Sequence, residues 1–207
     1  MDITPEALPE QNYRLIDQLG HQELVPFIQT YIKKRTRYAV FYYVINAVFF
    51  ILITYLLFQG IKQPGYDLGS RFTQLSQGIA LAFLLLPLHE YIHALAYRQL
   101  GAKQVYYDVN WKKFYVMALA DRFVVNRKEF EIVALAPFVV ITILLSLSLF
   151  LAPASWIIAI SGALMMHSAM CSGDFGLLSY FQYYHDKDIV TFDDKASGVS
   201  YFYEKMK

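Results

Sequence analysis

The sequence predicts an α-helical polytopic membrane protein with about four transmembrane helices and a small β-rich cytoplasmic insert between spans two and three. Three observations carry that expectation. Hydrophobic residues make up 57% of the 207 residues, against about 45–50% in soluble domains. Charged residues make up only 17%, against roughly 25%. The charges that exist are bunched, leaving long uncharged stretches, as a bilayer requires when a charge at its centre costs about 3 kcal/mol or more.

Composition also closes off some function classes. A net charge of +1 leaves no basic footprint for nucleic acid. The single cysteine, Cys171, excludes an internal disulfide framework and a multi-cysteine metal site, so a metal would rest on histidine and carboxylate. Met1 to Glu10 carries Asp2, Glu6 and Glu10 and lacks the basic start and apolar core of a secretory signal.

Residues 1–37 are polar and mixed. Within them Leu24, Phe27, Ile28, Tyr31 and Ile32 recur at helical spacing, followed by Lys33, Lys34, Arg35 and Arg37. This is the pattern of an amphipathic helix at a membrane surface, and equally of one packed on its own protein. The four-span region occupies 38–185. Tyr38 to Ile61 holds no charge and is long enough to cross a core of about 30 Å, which needs about 20 helical residues. The second span, 72–97, is apolar to Leu88, meets His89 and Glu90, and then recovers. Ile132 to Gly173 is uncharged and too long for one crossing, and Ala152-Pro153-Ala154-Ser155 divides it into spans of about 131–152 and 155–180.

Two regions read as β structure. In the insert, 98–130, Val105, Tyr107, Val109 and Trp111 alternate with Tyr106, Asp108 and Asn110, and Phe114, Val116, Phe123 and Val125 continue the composition. In the tail, 186–207, Ile189 to Phe192 and Val199 to Tyr203 flank a turn-rich Asp193 to Gly198, which suits a hairpin. Orientation follows the basic residues. They cluster at Lys33 to Arg37 and in the insert (Arg98, Lys103, Lys112, Lys113, Arg122, Arg127, Lys128), whereas the opposite loops hold only Lys62 and Arg71. Both termini and the insert are therefore expected in the cytoplasm.

The chemistry concentrates in His89-Glu90-Tyr91-Ile92-His93. His89 and His93 stand one helical turn apart, so both imidazoles leave one face and can share a metal ion. Zn2+ lowers the pKa of its water to about 7, and Glu90 is placed to take the proton. Ionisable groups inside an apolar span are costly, which makes function their default reading; the bland alternative is three polar residues satisfied by neighbouring helices. A catalytic zinc usually takes three protein ligands, and Asp174 is the best third. His93 and Asp174 both lie about 30 Å into their spans at 1.5 Å per residue, and Gly173 and Gly176 would loosen the helix around the carboxylate. The alternative for Asp174 is a helix-end residue at the interface. His167 reads as a packing histidine, with a substrate contact or a ligand as alternatives, and Cys171 as a small apolar filler. Pro87, just before the motif, is expected to kink its helix.

With these motifs in this order the chain resembles the zincin metallopeptidase family of bacterial membranes, whose members look like small relatives of the site-2 proteases. The resemblance rests on His89-Glu90-x-x-His93, the β-rich insert, Ala134-Leu135-Ala136-Pro137 and Gly173-Asp174, and covers roughly Phe72 to Tyr203. It implies zinc held by His89, His93 and Asp174, with Glu90 activating water against peptide bonds of membrane-associated substrates. Two places depart from the site-2 pattern. Phe175 follows the aspartate before Gly176, and Ala136 stands before Pro137 where an Asn that helps hold substrate is usual. The alternative function is a non-catalytic scaffold or pseudoprotease with a structural zinc, a site that would have no need of Glu90. A transporter is less well supported, because no repeat symmetry is present.

Overall fold

A computed structural model describes residues 3–110 and 115–206. Trp111 and Phe114, expected in strands, and the loop charges Lys112 and Lys113 lie outside the described residues. The chain divides into two compact units. The first comprises Met1–Ala39, Glu90–Ala136 and Gly173–Lys207, and the second Val40–His89 and Pro137–Ser172.

The first unit holds the β structure. Strands β1 (Tyr13–Gly20), β4 (Val125–Asn126), β5 (Ile189–Asp194) and β6 (Val199–Lys205) form an antiparallel sheet in the order β1-β6-β5-β4. Strands β2 (Val105–Asn110) and β3 (Tyr115–Ala120) form a separate antiparallel pair. The tail hairpin is β5–β6, turned at Gly198, whose φ of 65° is open to glycine at no steric cost. β1 has no counterpart in the sequence pattern. Its Tyr-Arg-Leu-Ile-Asp-Gln-Leu-Gly alternates poorly, and a register shift between Leu15 and Asp17 breaks the period of two. Pairing with the distant β6 decides it.

Helix α1 (Leu24–Ile32) lays its apolar face on α7 (Ser172–Tyr183). Phe27 and Tyr31 pack on Tyr180 at 5.2 and 4.9 Å between ring centroids, the first tilted and the second edge-on. Leu19, Tyr180, Phe181, Ile189 and Phe202 form the buried cluster between helices and sheet. A side chain at Gly176 would meet Ile28 at 2.7 Å. Gly176 therefore admits the neighbouring helix rather than loosening its own, and the helix break falls upstream at Cys171. Asn126 begins α5 (Arg127–Leu151) with a capping box: its side chain accepts from the amides of Lys128 and Glu129, and Glu129 accepts from the Asn126 amide at 2.9 Å. Losing such a cap costs about 1 kcal/mol. Thr36 accepts from the Ala39 amide at 3.1 Å and so opens α2 (Arg37–Phe58).

The second unit is helical. α3 (Leu68–Leu84) starts at Asp67, whose carboxylate accepts from the Gly69 amide, and it packs on α6 (Ile157–Met170). Small residues set that approach: a Cβ on Gly78 would fall 2.0 Å from the Ala159 carbonyl oxygen, and one on Gly162 would fall 2.8 Å from Leu75. α3 gives way to α4 (Leu86–Gln99) at Leu85, two residues before Pro87. Proline thus occupies the first turn of the new helix, where its missing N–H matters least.

Among the described residues three helices are long and apolar enough to cross a membrane: Arg37–Phe58, Leu68–Gln99 and Arg127–Leu151. A fourth crossing would need Ala154–Met170 and Ser172–Tyr183 together, and that pair is bent by 41°. The single span expected over 155–180 is therefore two helices with a corner at Cys171.

Candidate metal centre

α4 positions the motif. His89, Glu90 and His93 are all buried on this one helix, with their ligand atoms within 4.8 Å of one another. In a helix the i and i+4 side chains lie on one face, so the grouping follows from the spacing alone.

The partners of His93 orient its ring. Its Nδ1 lies 2.9 Å from the Val133 carbonyl oxygen, at the buried start of α5. A carbonyl only accepts, so Nδ1 carries the proton and donates. Ligating histidines are usually fixed this way, with the other ring nitrogen turned to the metal. That nitrogen, Nε2, faces Asp174 Oδ1 at 3.3 Å. A lone pair and a carboxylate turned toward each other need a cation between them, either a proton or a metal. Two ligands bound at about 2.0 Å in a tetrahedral site stand about 3.3 Å apart, so the spacing suits either cation. Asp174 reaches this position from the first turn of α7, just past the break.

Glu90 is also held from outside its helix. The Ala118 amide in β3 donates to Glu90 Oε2 at 2.8 Å, which fixes the carboxylate's rotation. Neither Val133 nor Ala118 could have been singled out in the sequence, because each contributes a backbone group that any residue type supplies there.

Within the second unit, His89 Nδ1 lies 3.3 Å from His167 Nε2, with the rings at 65°. Cys171 Sγ lies 3.9 Å from the same nitrogen. His167 is thus more than a packing residue, since it meets a motif histidine directly, and Cys171 joins polar neighbours rather than only filling apolar space.

Imidazole and carboxylate are donors that zinc accepts, and His93 is already oriented by a carbonyl; the group of three donors is His89, Glu90 and His93, and Asp174 meets His93 as a separate pair. Residues 82–188, more than half of the 207, match the family described as "Putative zincin peptidase". The match takes in the α4 motif, the β2–β3 pair and Asp174. No curated protein and no solved structure matches the chain. By the extent of that family match, and with the motif's geometry behind it, the chain belongs to this zincin peptidase family.

Proposed function

We propose that the protein is a membrane-embedded, site-2-protease-like zinc metalloendopeptidase that hydrolyses peptide bonds of membrane-associated proteins, with His89, His93 and Asp174 as metal ligands and Glu90 as general base. The observation that carries this reading is His93, oriented by the Val133 carbonyl and faced by Asp174, one turn along the helix from a second histidine and beside Glu90. Zinc, when bound, supplies a Lewis acid for the scissile carbonyl and a water of pKa about 7. Glu90 takes a proton from the attacking water and returns it to the leaving amine. The Ala118 amide keeps that carboxylate aimed while the proton moves.

Substrate presentation follows from the same hydrogen bond. Because the Ala118 amide is directed at Glu90, the edge of β3 lies beside the base, and an unwound substrate segment pairs there as an added strand.

Embedding in a bilayer is supported by the helix surfaces. Phe50 and Ile51 on α2 are 63% and 66% exposed, and Phe150 and Leu151 on α5 are 86% and 85% exposed. Apolar surface on this scale is a liability in water and an ordinary lipid contact in a membrane. The uneven distribution of basic residues supports an orientation with both termini in the cytoplasm, as in a multi-pass protein of the inner cell membrane. Reporter fusions at Gly65 and Ala154 are expected to read outside, and fusions at Lys112 and Lys207 inside. A cytoplasmic signal at Ala154 would overturn the crossing made by the bent α6–α7 pair.

The activity is tested on purified full-length protein with a model single-span substrate. Cleavage is expected to stop on chelation and to return on adding zinc. Cleavage that persists in metal-free protein would exclude a metallopeptidase.

A further inference from the structure

Among the described residues two groups of donors come close enough to hold a metal ion, and His89 belongs to both. The first is the motif itself. The second is His89, His167 and Cys171, whose ligand atoms all lie within 4.8 Å of one another. It lies wholly within the second unit.

This second group has the makings of a site. All three residues are buried: His89 is 7% exposed, His167 2% and Cys171 0%. His167 and Cys171 stand one turn apart at the end of α6, the same spacing that pairs the motif histidines on α4. Cys171 is held at the corner between α6 and α7, and His89 comes from a separate stretch of chain. Two nitrogens bound at about 2.0 Å in a tetrahedral zinc site stand about 3.3 Å apart, and a nitrogen and a thiolate about 3.6 Å apart. The observed separations are 3.3 Å for His89 Nδ1 to His167 Nε2 and 3.9 Å for His167 Nε2 to Cys171 Sγ. The third pair, His89 and Cys171, lies within 4.8 Å.

The competing account assigns each contact separately: a histidine–histidine hydrogen bond, and a thiol bonded back to the His167 carbonyl at 3.2 Å. It explains the pairs. It gives no reason for a thiol and two imidazoles to converge in a buried place where apolar side chains would pack as well.

We propose that His89, His167 and Cys171 form a second metal position, suited to a thiophilic divalent cation such as Zn2+, Co2+ or Cd2+. Two imidazoles and a thiolate form a ligand set that soft and borderline cations accept and that Mg2+ and Ca2+ do not. Binding displaces the Cys171 thiol proton, which leaves to solvent, and no electron transfer is involved. An ion here engages His89 and competes with the peptidase position for that residue. Excess thiophilic metal should therefore inhibit cleavage. That consequence rests on the proposed peptidase function; the site itself does not.

Cobalt distinguishes the two positions, because only this one has a thiolate. Metal-free full-length protein and its His93→Ala variant are titrated with excess Co2+ while the near-ultraviolet thiolate-to-cobalt charge-transfer band is followed. The band is expected in His93→Ala, where the peptidase position is disabled, and is expected to vanish in His93→Ala/Cys171→Ser and in His93→Ala/His167→Ala. Circular dichroism of the double variants shows whether they fold. Absence of the band in both wild type and His93→Ala would overturn the proposal whether or not the double variants fold. So would its persistence after Cys171→Ser. Failure of the peptidase reading shows elsewhere, as uncut substrate in wild type with the cobalt band intact.

Discussion

Glu90→Gln is expected to bind zinc and fold as the wild type does while losing at least the roughly 10²–10⁴-fold that general-base catalysis contributes. The substitution keeps the side chain's size and leaves both motif histidines in place. A glutamine oxygen can still accept the Ala118 amide bond, so the local packing survives. Only the capacity to take a proton is removed. The measurement is kcat on a model transmembrane substrate, alongside zinc content and thermal stability of the same preparation. In cells the uncut substrate should accumulate, and it should co-purify with the inactive protein. If Glu90→Gln complements a deletion strain as well as wild type while His93→Ala does not, the zinc is structural. The non-catalytic scaffold is then the correct function.

His93→Ala and Asp174→Ala are expected to lose most of the bound zinc, by more than the about 10–100-fold in affinity that removing an outer partner of a ligand costs. His93 supplies Nε2 from a ring fixed by the Val133 carbonyl, and alanine leaves nothing in its place. Asp174 faces that nitrogen at 3.3 Å, and without it the proposed site would keep two ligands where a catalytic zinc usually has three. His167→Ala should keep most of the zinc at stoichiometric metal, because His167 meets His89 by its Nε2 at His89 Nδ1 and is not in the motif set. Elemental analysis of the three variants decides the matter. Full zinc in Asp174→Ala together with loss in His167→Ala would move the third ligand from Asp174 to His167.

The parts of the centre that could be read without coordinates share one property: their geometry is local. His89, Glu90 and His93 fall on one face because a helix repeats every 3.6 residues, whatever surrounds it. The tail hairpin from Ile189 to Lys205 is local too. Where the sequence misled, a long-range contact had overruled a local preference. Gly176 looked like a point of flexibility and is a docking place for Ile28. The span read over 155–180 is a pair of helices that bends by 41°. Nothing in its hydropathy marks the corner, since apolar residues lie on both sides of it.

By itself the sequence determined the apolar helices, their charge-poor surfaces and the spacing of the motif, because burial and helical period are written residue by residue. The tertiary structure alone decided which groups meet the motif. The Val133 carbonyl and the Ala118 amide belong to the backbone, and backbone groups carry no residue signature. The β1–β6 pairing joins the two ends of the chain, and Asp174 and His167 reach α4 residues across long stretches of sequence. Such meetings depend on how helices and strands pack. Packing is a property of the whole chain, and no window of sequence contains it.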